Sequence, residues 1–439
     1  MTEARADAPM DAGRPGMREP ADRVRLRSTP AGLMLMGGGA RAAYQVGVLK
    51  AIAEILRDVR RGLDPSISQG QNPFPIMIGT SAGAINAAAL ACRADNFQEG
   101  VAQLINIWEN FHAEQVYRSD LLGVVRTGAR WLTLLSIGWM VRQSLRLRPK
   151  SLLDNTPLRA LLDTMIDSPR LERALEHGHL RALAVTASSY SSGRHVTFYQ
   201  ALNDYAIPGK LQRMTLRTRI TLEHLLASSA IPFVFPAQSL SFRHDGVEDA
   251  EYFGDGAMRQ ISPISPAIYL GAERVLVIGA GQMGRPGVLR DVDPHRYPSL
   301  AQVAGHAMSS IFLDSLASDI ERLEKINRIT ELLTPAQQLT MHLRPIESLV
   351  IAPSERLDGV AAAHIKSLPR PVRALLEVLG ASRGNGAGLA SYLLFESSYT
   401  RVLIDLGWQD TMNRRDAVLE FLVDRPAAAP TRTPRVVVV

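Results

Sequence analysis

Apolar and polar positions follow two different periods near the start of the chain. An uninterrupted apolar run begins at Ala31 and ends in glycines at 37–39, as expected for a short buried strand. Residues 40–59 then carry apolar side chains three and four positions apart, the pattern of a helix with one buried face. That face comprises Val46, Leu49, Ile52, Ala53 and Leu56. Residues 74–79 form a second apolar run followed by small helix-forming residues, so we predict parallel strands joined by crossover helices.

Similar patterns continue beyond residue 180. Apolar and β-branched runs predict further strands, at 180–190, 194–200, 251–258, 274–281 and 348–354. Helical patterns occupy 221–231, where Pro232 ends the helix, and 389–410. A long amphipathic helix after Leu300 presents apolar side chains at three- and four-residue steps, namely Phe312, Leu316, Ile320, Leu323 and Ile326. The predicted fold class is α/β, in three layers, with a mainly parallel central sheet and a largely helical C-terminal extension.

Composition divides the chain into four parts. Residues 1–30 mix acids, arginines and prolines, which predicts a disordered tail and lacks the apolar segment of a secretory signal. We predict the α/β domain at 31–285, the mostly helical extension at 286–424, and a loose, Pro- and Ala-rich tail at 425–439. The expected location is cytoplasmic, with peripheral contact to a membrane.

The segment 121–150 is a candidate lid or membrane contact. Within it, residues 131–141 carry no charge, but they are fewer than the roughly 18 needed to span a bilayer. Arginines flank this apolar stretch on both sides, at Arg126, Arg130, Arg142, Arg146 and Arg148. The pattern fits an interfacial helix whose arginines reach lipid headgroups, and it fits equally a buried helix packed on the core.

Overall composition excludes several classes of function. With 46% hydrophobic and 21% charged residues, the sequence is typical of a globular protein. The net charge of +6 includes no basic block and no zinc-finger spacing, so no nucleic-acid partner is predicted. A single cysteine, Cys92, excludes an internal disulfide and is expected to be buried in a helix. No acidic segment has calcium-loop spacing, so neither a metal nor a cofactor is expected.

The segment Gly79-Thr80-Ser81-Ala82-Gly83 lies between a predicted strand and a predicted helix. This is the Gly-x-Ser-x-Gly pattern of a nucleophile elbow, in which a sharp turn exposes the serine at the top of a sheet. Glycines are needed because such a turn brings backbone segments close together. An ordinary tight turn is the alternative. The strand before it and the helix after it favour a nucleophilic serine near the positive end of the helix.

A serine nucleophile needs an oxyanion hole and a base. The other glycine turn, Gly37-Gly38-Gly39-Ala40-Arg41, can supply the hole, because its successive N–H groups can face a developing negative oxygen. The arginine adds positive charge. A dinucleotide-binding loop is disfavoured, since an alanine stands where that pattern has its last glycine and the next strand ends without an acid.

The base is harder to find by pattern alone. None of the ten histidines lies in a motif that would orient it toward a serine. Asp255 lies at a predicted strand end within Gly254-Asp255-Gly256-Ala257, but Asp-Gly is also a common turn former. Taken alone, this segment favours the turn.

Taken together and in this order, the glycine turn, the Gly-x-Ser-x-Gly segment and the Gly-Asp-Gly-Ala segment resemble the three signature blocks of the patatin-like phospholipase family. The likeness covers roughly residues 32–280, and a weaker likeness extends toward Leu422. It implies a Ser–Asp dyad without histidine, with Ser81 as the nucleophile and Asp255 as the base. Ala42 departs from the family pattern, in which glycine is common, and a methyl group is tolerated there if φ is negative.

The resemblance also implies acyl transfer. Asp255 would accept the proton of Ser81 as that serine attacks an ester carbonyl, the loop 37–41 would hold the oxyanion, and water would release the fatty acid. Gly256 and Ala257 complete the aspartate block. The expected substrate is a phospholipid or another fatty-acyl ester. Two alternatives stay open: a serine esterase or thioesterase with a histidine-containing triad, and a catalytically silent lipid-binding protein.

Overall fold

The computed structural model describes residues 25–63, 71–119, 151–205, 212–244, 246–283, 297–378, 380, 387–424 and 436–438. The candidate lid segment, 121–150, lies outside the described residues. Within the described part of the chain, none of the helices combines enough length and apolarity to cross a lipid bilayer.

One large sheet organises the molecule. The described strands are β1 (Arg25–Leu26), β2 (Ala31–Leu35), β3 (Ile76–Thr80), β4 (Ala182–Ser189), β5 (His195–Ala201), β6 (Arg213–Arg217), β7 (Gln238–His244), β8 (Val247–Asp255), β9 (Arg274–Ile278), β10 (Glu347–Ile351), β11 (Val423–Asp424) and β12 (Val436–Val438). Ten of these described strands form one sheet in the order β12-β10-β9-β2-β3-β4-β5-β6, with β8 paired to β4 and β7 paired to β8.

The pairing of these strands confirms the predicted α/β fold class. Strand β2 pairs in parallel with β3 and β9, and parallel pairing continues to β4 on one side and to β10 and β12 on the other. Antiparallel pairs join β4 to β5 and to β8. The sheet is therefore mainly parallel, with an antiparallel part beside β4.

Helices cover both faces of the sheet. They are α1 (Ala43–Leu63), α2 (Ala82–Ala91), α3 (Phe97–Glu109), α4 (Thr156–Met165), α5 (Ser168–Glu176), α6 (Leu222–Ser228), α7 (Ser265–Tyr269), α8 (Leu300–Ser309), α9 (Ser315–Glu331), α10 (Pro335–Thr340), α11 (Leu357–His364), α12 (Arg370–Val378), α13 (Ala387–Leu393), α14 (Ser397–Met412) and α15 (Arg415–Leu422). Successive residues of a strand point to opposite faces, so Leu33 and Leu35 join one apolar core while Met34 joins the other. These two cores produce the three predicted layers.

The C-terminal region is largely helical, as predicted, and it packs directly on the α/β part. Strand β10 extends the central sheet beside β9. Helix α14 lies so close to α1 that a Cβ on Gly47 would overlap the carbonyl oxygen of Ile404, and one on Gly407 would overlap that of Tyr44. Glycine is required at these two positions because the backbones of the two helices are in contact.

Both ends of the described chain differ from the sequence prediction. Arg25–Leu26, which was assigned to a disordered tail, pairs with Val423–Asp424. Val436–Val438, which was assigned to a loose tail, extends the sheet beside Ser348–Val350. The backbone groups of these segments gain partners from strands that are distant in sequence, and local composition does not reveal such pairing.

Two helix predictions also need correction. Helix α6 ends at Ser228 rather than at Ile231, because the N–H groups of Ala230 and Ile231 bond the carbonyls of Ala227 and Ser229 instead of carbonyls four residues back. In the long helical segment after Leu300, Ile326 is 38% exposed rather than buried. The buried stripe continues instead through Asn327, whose amide bonds the backbone of Ile346.

Candidate active site

Ser81 lies at the corner between β3 and α2. Its φ of 56° and ψ of −131° are unusual for a residue with a side chain, which is the strained geometry of a nucleophile elbow. A Cβ on Gly79 would overlap the backbone of Ala84, and one on Gly83 would overlap the carbonyl oxygen of Leu35. The two flanking glycines are therefore required by the closeness of the turn to its own helix and to β2.

The N–H of Ser81 is held by a residue that sequence reasoning missed. It donates to Oγ of Ser228, at 2.9 Å, and the Ser228 side chain is buried at the end of α6. The carbonyl of Ser81 accepts the N–H of Ala84 in the first turn of α2. These two bonds fix the backbone on both sides of the serine hydroxyl.

Asp255 reaches Ser81 through the pairing of β4 with two different strands. Thr80, the last residue of β3, lies beside Thr186 of β4. The next residue of β4, Ala187, lies beside Asp255, the last residue of β8. Because β3 is parallel and β8 antiparallel to β4, the ends of β3 and β8 meet. Ser81 and Asp255 are thereby brought together from positions 174 residues apart in the sequence.

The carboxylate of Asp255 is fully buried. Its Oδ1 accepts the N–H of Ala257 at 2.9 Å, while Oδ2 has no hydrogen-bond partner among the described residues. Burial raises the pKa of Asp255 to about 7, although the hydroxyl of Ser81 and the N–H of Ala257 both favour the ionised form. A raised pKa makes this carboxylate a stronger base than an exposed aspartate.

The hydroxyl of Ser81 is also buried and lacks a hydrogen-bond partner among the described residues. It lies near enough to Asp255 to favour the ionised carboxylate, although the two side chains do not meet the geometry of a hydrogen bond. Such contacts are often long in a substrate-free site and shorten during the reaction. The pair of unpartnered oxygens is an arrangement that could transfer a proton.

The described histidines do not form hydrogen bonds with this pair. His224 accepts from Thr221 at the start of α6, and His195 interacts with the backbone of Gly256. Burial lowers the pKa of both histidines to about 4. Neither imidazole is placed between the serine and the aspartate.

The glycine turn after β2 lies against the serine. A Cβ on Gly37 would be 3.0 Å from Cβ of Ser81 and 2.7 Å from the ring of Phe312. Gly39 has a φ of 54°, and a Cβ there would overlap the carbonyl oxygen of Tyr392. In the described chain, no backbone carbonyl accepts the N–H of Gly37 or Gly38. These two donors are available beside Ser81.

The sequence predicts that Arg41 adds positive charge to the oxyanion hole, but its side chain packs against α13. It is 4% exposed, its Nε donates to Oγ of Ser391 at 2.8 Å, and its guanidinium lies 4.0 Å from the ring centre of Tyr392. Arg41 thus ties the glycine turn to α13. Ala42 follows within a 3₁₀ turn, Gly39–Ala42, and is not among the described residues with positive φ, so its methyl group is accommodated.

A second missed feature is a buried polar network behind the glycine turn. Gln45 donates to the carbonyl of Met36 at 2.6 Å and accepts from Asn86 at 3.1 Å. Asn86 in turn accepts from Nε1 of Trp108 and lies within range of the carbonyl of Ala42. An asparagine within an otherwise apolar helix, at position 86, was the signal that could have identified this network.

An apolar cavity opens directly beside Ser81. Its volume is about 460 Å³ including its opening to solvent. The lining side chains come from α2, α3, α4 and the segments after α3, α6 and α13. The apolar ones include Ile85, Trp108, Leu158, Met165, Phe235 and Phe395. Among the described lining side chains, those with polar groups are Ser81, Ser229 and Trp108, whose Nε1 donates to Asn86. The cavity suits a hydrocarbon chain.

The sequence matches a protein-family model over more than half of its length. The family model described as patatin-like phospholipase matches residues 33–268. Among solved structures, VipD from Legionella pneumophila shares 13% identity, with 90% of this chain and 72% of that chain covered and a TM-score of 0.26. ExoU from Pseudomonas aeruginosa, solved in complex with SpcU, shares 14%, with 95% and 86% covered and a TM-score of 0.23. No curated protein sequence matches.

Proposed function

Because the chain belongs to the patatin-like phospholipase family and is thus a lipid acyl hydrolase, we propose that Ser81 and Asp255 form its catalytic dyad. The observation that carries this proposal is the meeting of a serine on a strained elbow with a buried carboxylate of raised pKa. Each residue has one oxygen without a partner among the described residues. Catalysis by such a pair requires no metal and no histidine.

The proposed reaction begins with proton transfer from Oγ of Ser81 to Oδ2 of Asp255. The serine oxygen attacks the ester carbonyl, and the N–H groups of Gly37 and Gly38 donate to the negative oxygen that forms. The alcohol leaves with the proton from Asp255. A water molecule then gives a proton to Asp255 and attacks the acyl-enzyme, after which Ser81 regains its proton and the fatty acid departs.

The proposed substrate is a phospholipid or another fatty-acyl ester. The apolar cavity beside Ser81 would bury the acyl chain, since each methylene group removed from water contributes about 0.8 kcal/mol. Access to such a substrate requires peripheral contact with a membrane, for which we propose the segment 121–150. We retain as a proposal the division into a catalytic domain at 31–285 and a helical extension at 286–424, with terminal segments at 1–30 and 425–439 that include the paired strands β1 and β12.

The dyad is tested by comparing Ser81→Ala and Asp255→Asn with the control Asp249→Asn, an exposed aspartate of the same strand. We expect both dyad variants to lose at least about 10³-fold in kcat on a short-chain nitrophenyl ester, because each removes a participant in the proton transfer. The control should keep wild-type activity. Full activity of Asp255→Asn, together with loss of activity in His195→Ala or His224→Ala, would establish the histidine triad instead.

A fluorophosphonate probe separates the hydrolase from a silent lipid-binding protein. The probe should label the wild type and should not label Ser81→Ala. An unlabelled wild type that still binds liposomes would contradict the proposed catalysis.

A further inference from the structure

A second pocket lies on the face of the sheet opposite the acyl cavity. On β5, Val196 and Phe198 belong to the core that contains the acyl cavity, whereas Tyr199 belongs to the core on the other face. His195 and Thr197 point to that other face, because they alternate with Val196 and Phe198. There they line a pocket of about 430 Å³ including its opening to solvent. Among the described residues, none lines both this pocket and the acyl cavity.

The register of two neighbouring strands builds the floor of the pocket. Strands β5 and β6 are parallel, with His195 beside Arg213 and Thr197 beside Thr215. Side chains at these positions share one face, so a guanidinium, an imidazole and two hydroxyls form a compact block. The hydroxyls of Ser262 and Ser265 line the other side.

The charge of Arg213 is not neutralised by a direct partner. Among the described residues, Arg213 makes no ion pair and no hydrogen bond; burial raises the pKa of nearby Asp319, and the charge of Arg213 only partly opposes that rise. Asp319 lies 3.5 Å from Arg322, whose own guanidinium donates to Oγ of Ser262. Two arginines and one aspartate therefore leave a net positive charge around the pocket.

His195 contributes a polar atom that lacks a partner. Its side chain is 5% exposed, and its Nδ1 is buried without a hydrogen bond to any described residue. Burial lowers the pKa of His195 to about 4, so the ring is neutral near pH 7; its one N–H interacts with the backbone of Gly256, which leaves Nδ1 as an acceptor. An unpartnered polar atom at this depth is destabilising unless a ligand or solvent satisfies it.

We propose that this pocket binds a phosphate group. Its donors are the guanidinium of Arg213 and the hydroxyls of Thr197, Thr215 and Ser265, arranged around a space open on one side, and Nδ1 of His195 can accept the proton of a hydrogen phosphate. A phosphate group offers three or four acceptor oxygens in a tetrahedral arrangement, which matches such a set better than the two oxygens of a carboxylate. The group could belong to free phosphate or to a lipid headgroup, and both present the same oxygens.

The test measures binding rather than hydrolysis, so its result does not depend on the proposed catalytic dyad. Full-length Ser81→Ala protein is used throughout, to keep vesicle lipids intact. Inorganic phosphate is titrated by calorimetry. In parallel, vesicles of phosphatidylcholine with and without phosphatidate are tested by flotation.

Two variants probe the pocket and one serves as a control. Arg213→Gln removes the guanidinium, and Thr215→Val removes one hydroxyl with little change of shape. Arg181→Gln is the matched control, because it removes one positive charge from an exposed arginine outside the pocket. Circular dichroism establishes that each variant is folded.

We expect Arg213→Gln to weaken binding at least about tenfold, because a charge-assisted hydrogen bond is lost, and Thr215→Val to weaken it several-fold. Arg181→Gln should bind as the parent does. If free phosphate binds and Arg213→Gln weakens that binding, the ligand is a soluble phosphate. If only phosphatidate vesicles bind in this Arg213-dependent way, the ligand is a lipid headgroup. The proposal is overturned if the parent binds neither, or if Arg213→Gln and Thr215→Val bind as tightly as Arg181→Gln.

Discussion

At the scale of single residues, the site depends on the unusual surroundings of one carboxylate. Asp255 has no exposed surface, and burial raises its pKa from 3.8 to about 7. The charged form that the proposed reaction needs is therefore the form that destabilises the fold. A residue selected for stability alone would be neutral at this position.

This conflict predicts opposite effects of pH on activity and on stability. Activity should rise with pH through a midpoint near 7, because only ionised Asp255 can accept the serine proton. The pKa of Asp255 is higher in the folded than in the unfolded chain, so its contribution to stability is complete below pH 3.8 and is lost as pH rises through about 7. A pH–rate profile on a soluble ester measures the first effect.

The second effect is measured by unfolding Asp255→Asn. At about pH 8 we expect the free energy of unfolding to exceed that of the wild type by up to about 4 kcal/mol, since a neutral amide replaces a buried charge. Near pH 4 the difference should disappear. Asp249→Asn is the control, and an equal difference at both pH values would contradict the raised pKa.

At the scale of secondary-structure elements, the elbow is held by the end of a neighbouring helix. Ser228, the last residue of α6, accepts the N–H of Ser81, and the next serine, Ser229, donates to the carbonyl of Leu225 within its own helical turn. The two adjacent serines therefore bond different segments: Ser228 bonds the elbow, and Ser229 bonds its own helix. Only the first one bonds the backbone of Ser81, the proposed nucleophile.

We predict that Ser228→Ala lowers kcat about tenfold while KM changes little. The substitution leaves the buried N–H of Ser81 without an acceptor, which costs about 1–3 kcal/mol and loosens the elbow. Ser229→Ala is the matched control and should retain near wild-type kcat. Equal loss of activity in the two variants would mean that Ser228 has no special positioning role.

At the scale of the whole molecule, the C-terminal region takes part in the site. The carbonyl of Tyr392 lies where a side chain on Gly39 would be, the Tyr392 ring lies under the guanidinium of Arg41, and that ring stacks on Phe312 at 5.2 Å. Residues beyond the matched family segment, which ends at 268, thus support the glycine turn.

This packing makes Tyr392 a sensitive position. We expect Tyr392→Ala to lower the free energy of unfolding by about 3–5 kcal/mol and to reduce kcat, because a cavity forms behind the glycine turn. Tyr392→Phe is the control. The tyrosine hydroxyl is buried without a partner among the described residues, so its removal should leave activity unchanged and should not lower stability. Thermal unfolding and ester hydrolysis are measured for both variants. Wild-type stability and wild-type kcat in Tyr392→Ala would contradict this prediction.

Local patterns explain what could be predicted from the sequence. The alternation of apolar runs and amphipathic segments is a property of neighbouring residues, so β2, α1, β3 and α2 were predicted close to their observed bounds. The family signature blocks are short and contiguous for the same reason. The ends of the sheet, β1 and β12, escaped prediction because their pairing partners are distant in sequence.

The sequence by itself determined the α/β fold class and, through resemblance, predicted the elbow around Ser81 and the role of Asp255 as its base. Only the tertiary structure decided that β3 and β8 meet end to end beside β4 and that burial raises the pKa of Asp255. It also decided that Arg41 bonds Ser391 and thereby joins the glycine turn to α13. The physical reason is that desolvation and contact depend on which distant segments are packed together. A residue's identity specifies what chemistry it can perform, and its burial and neighbours decide whether it is placed to perform it.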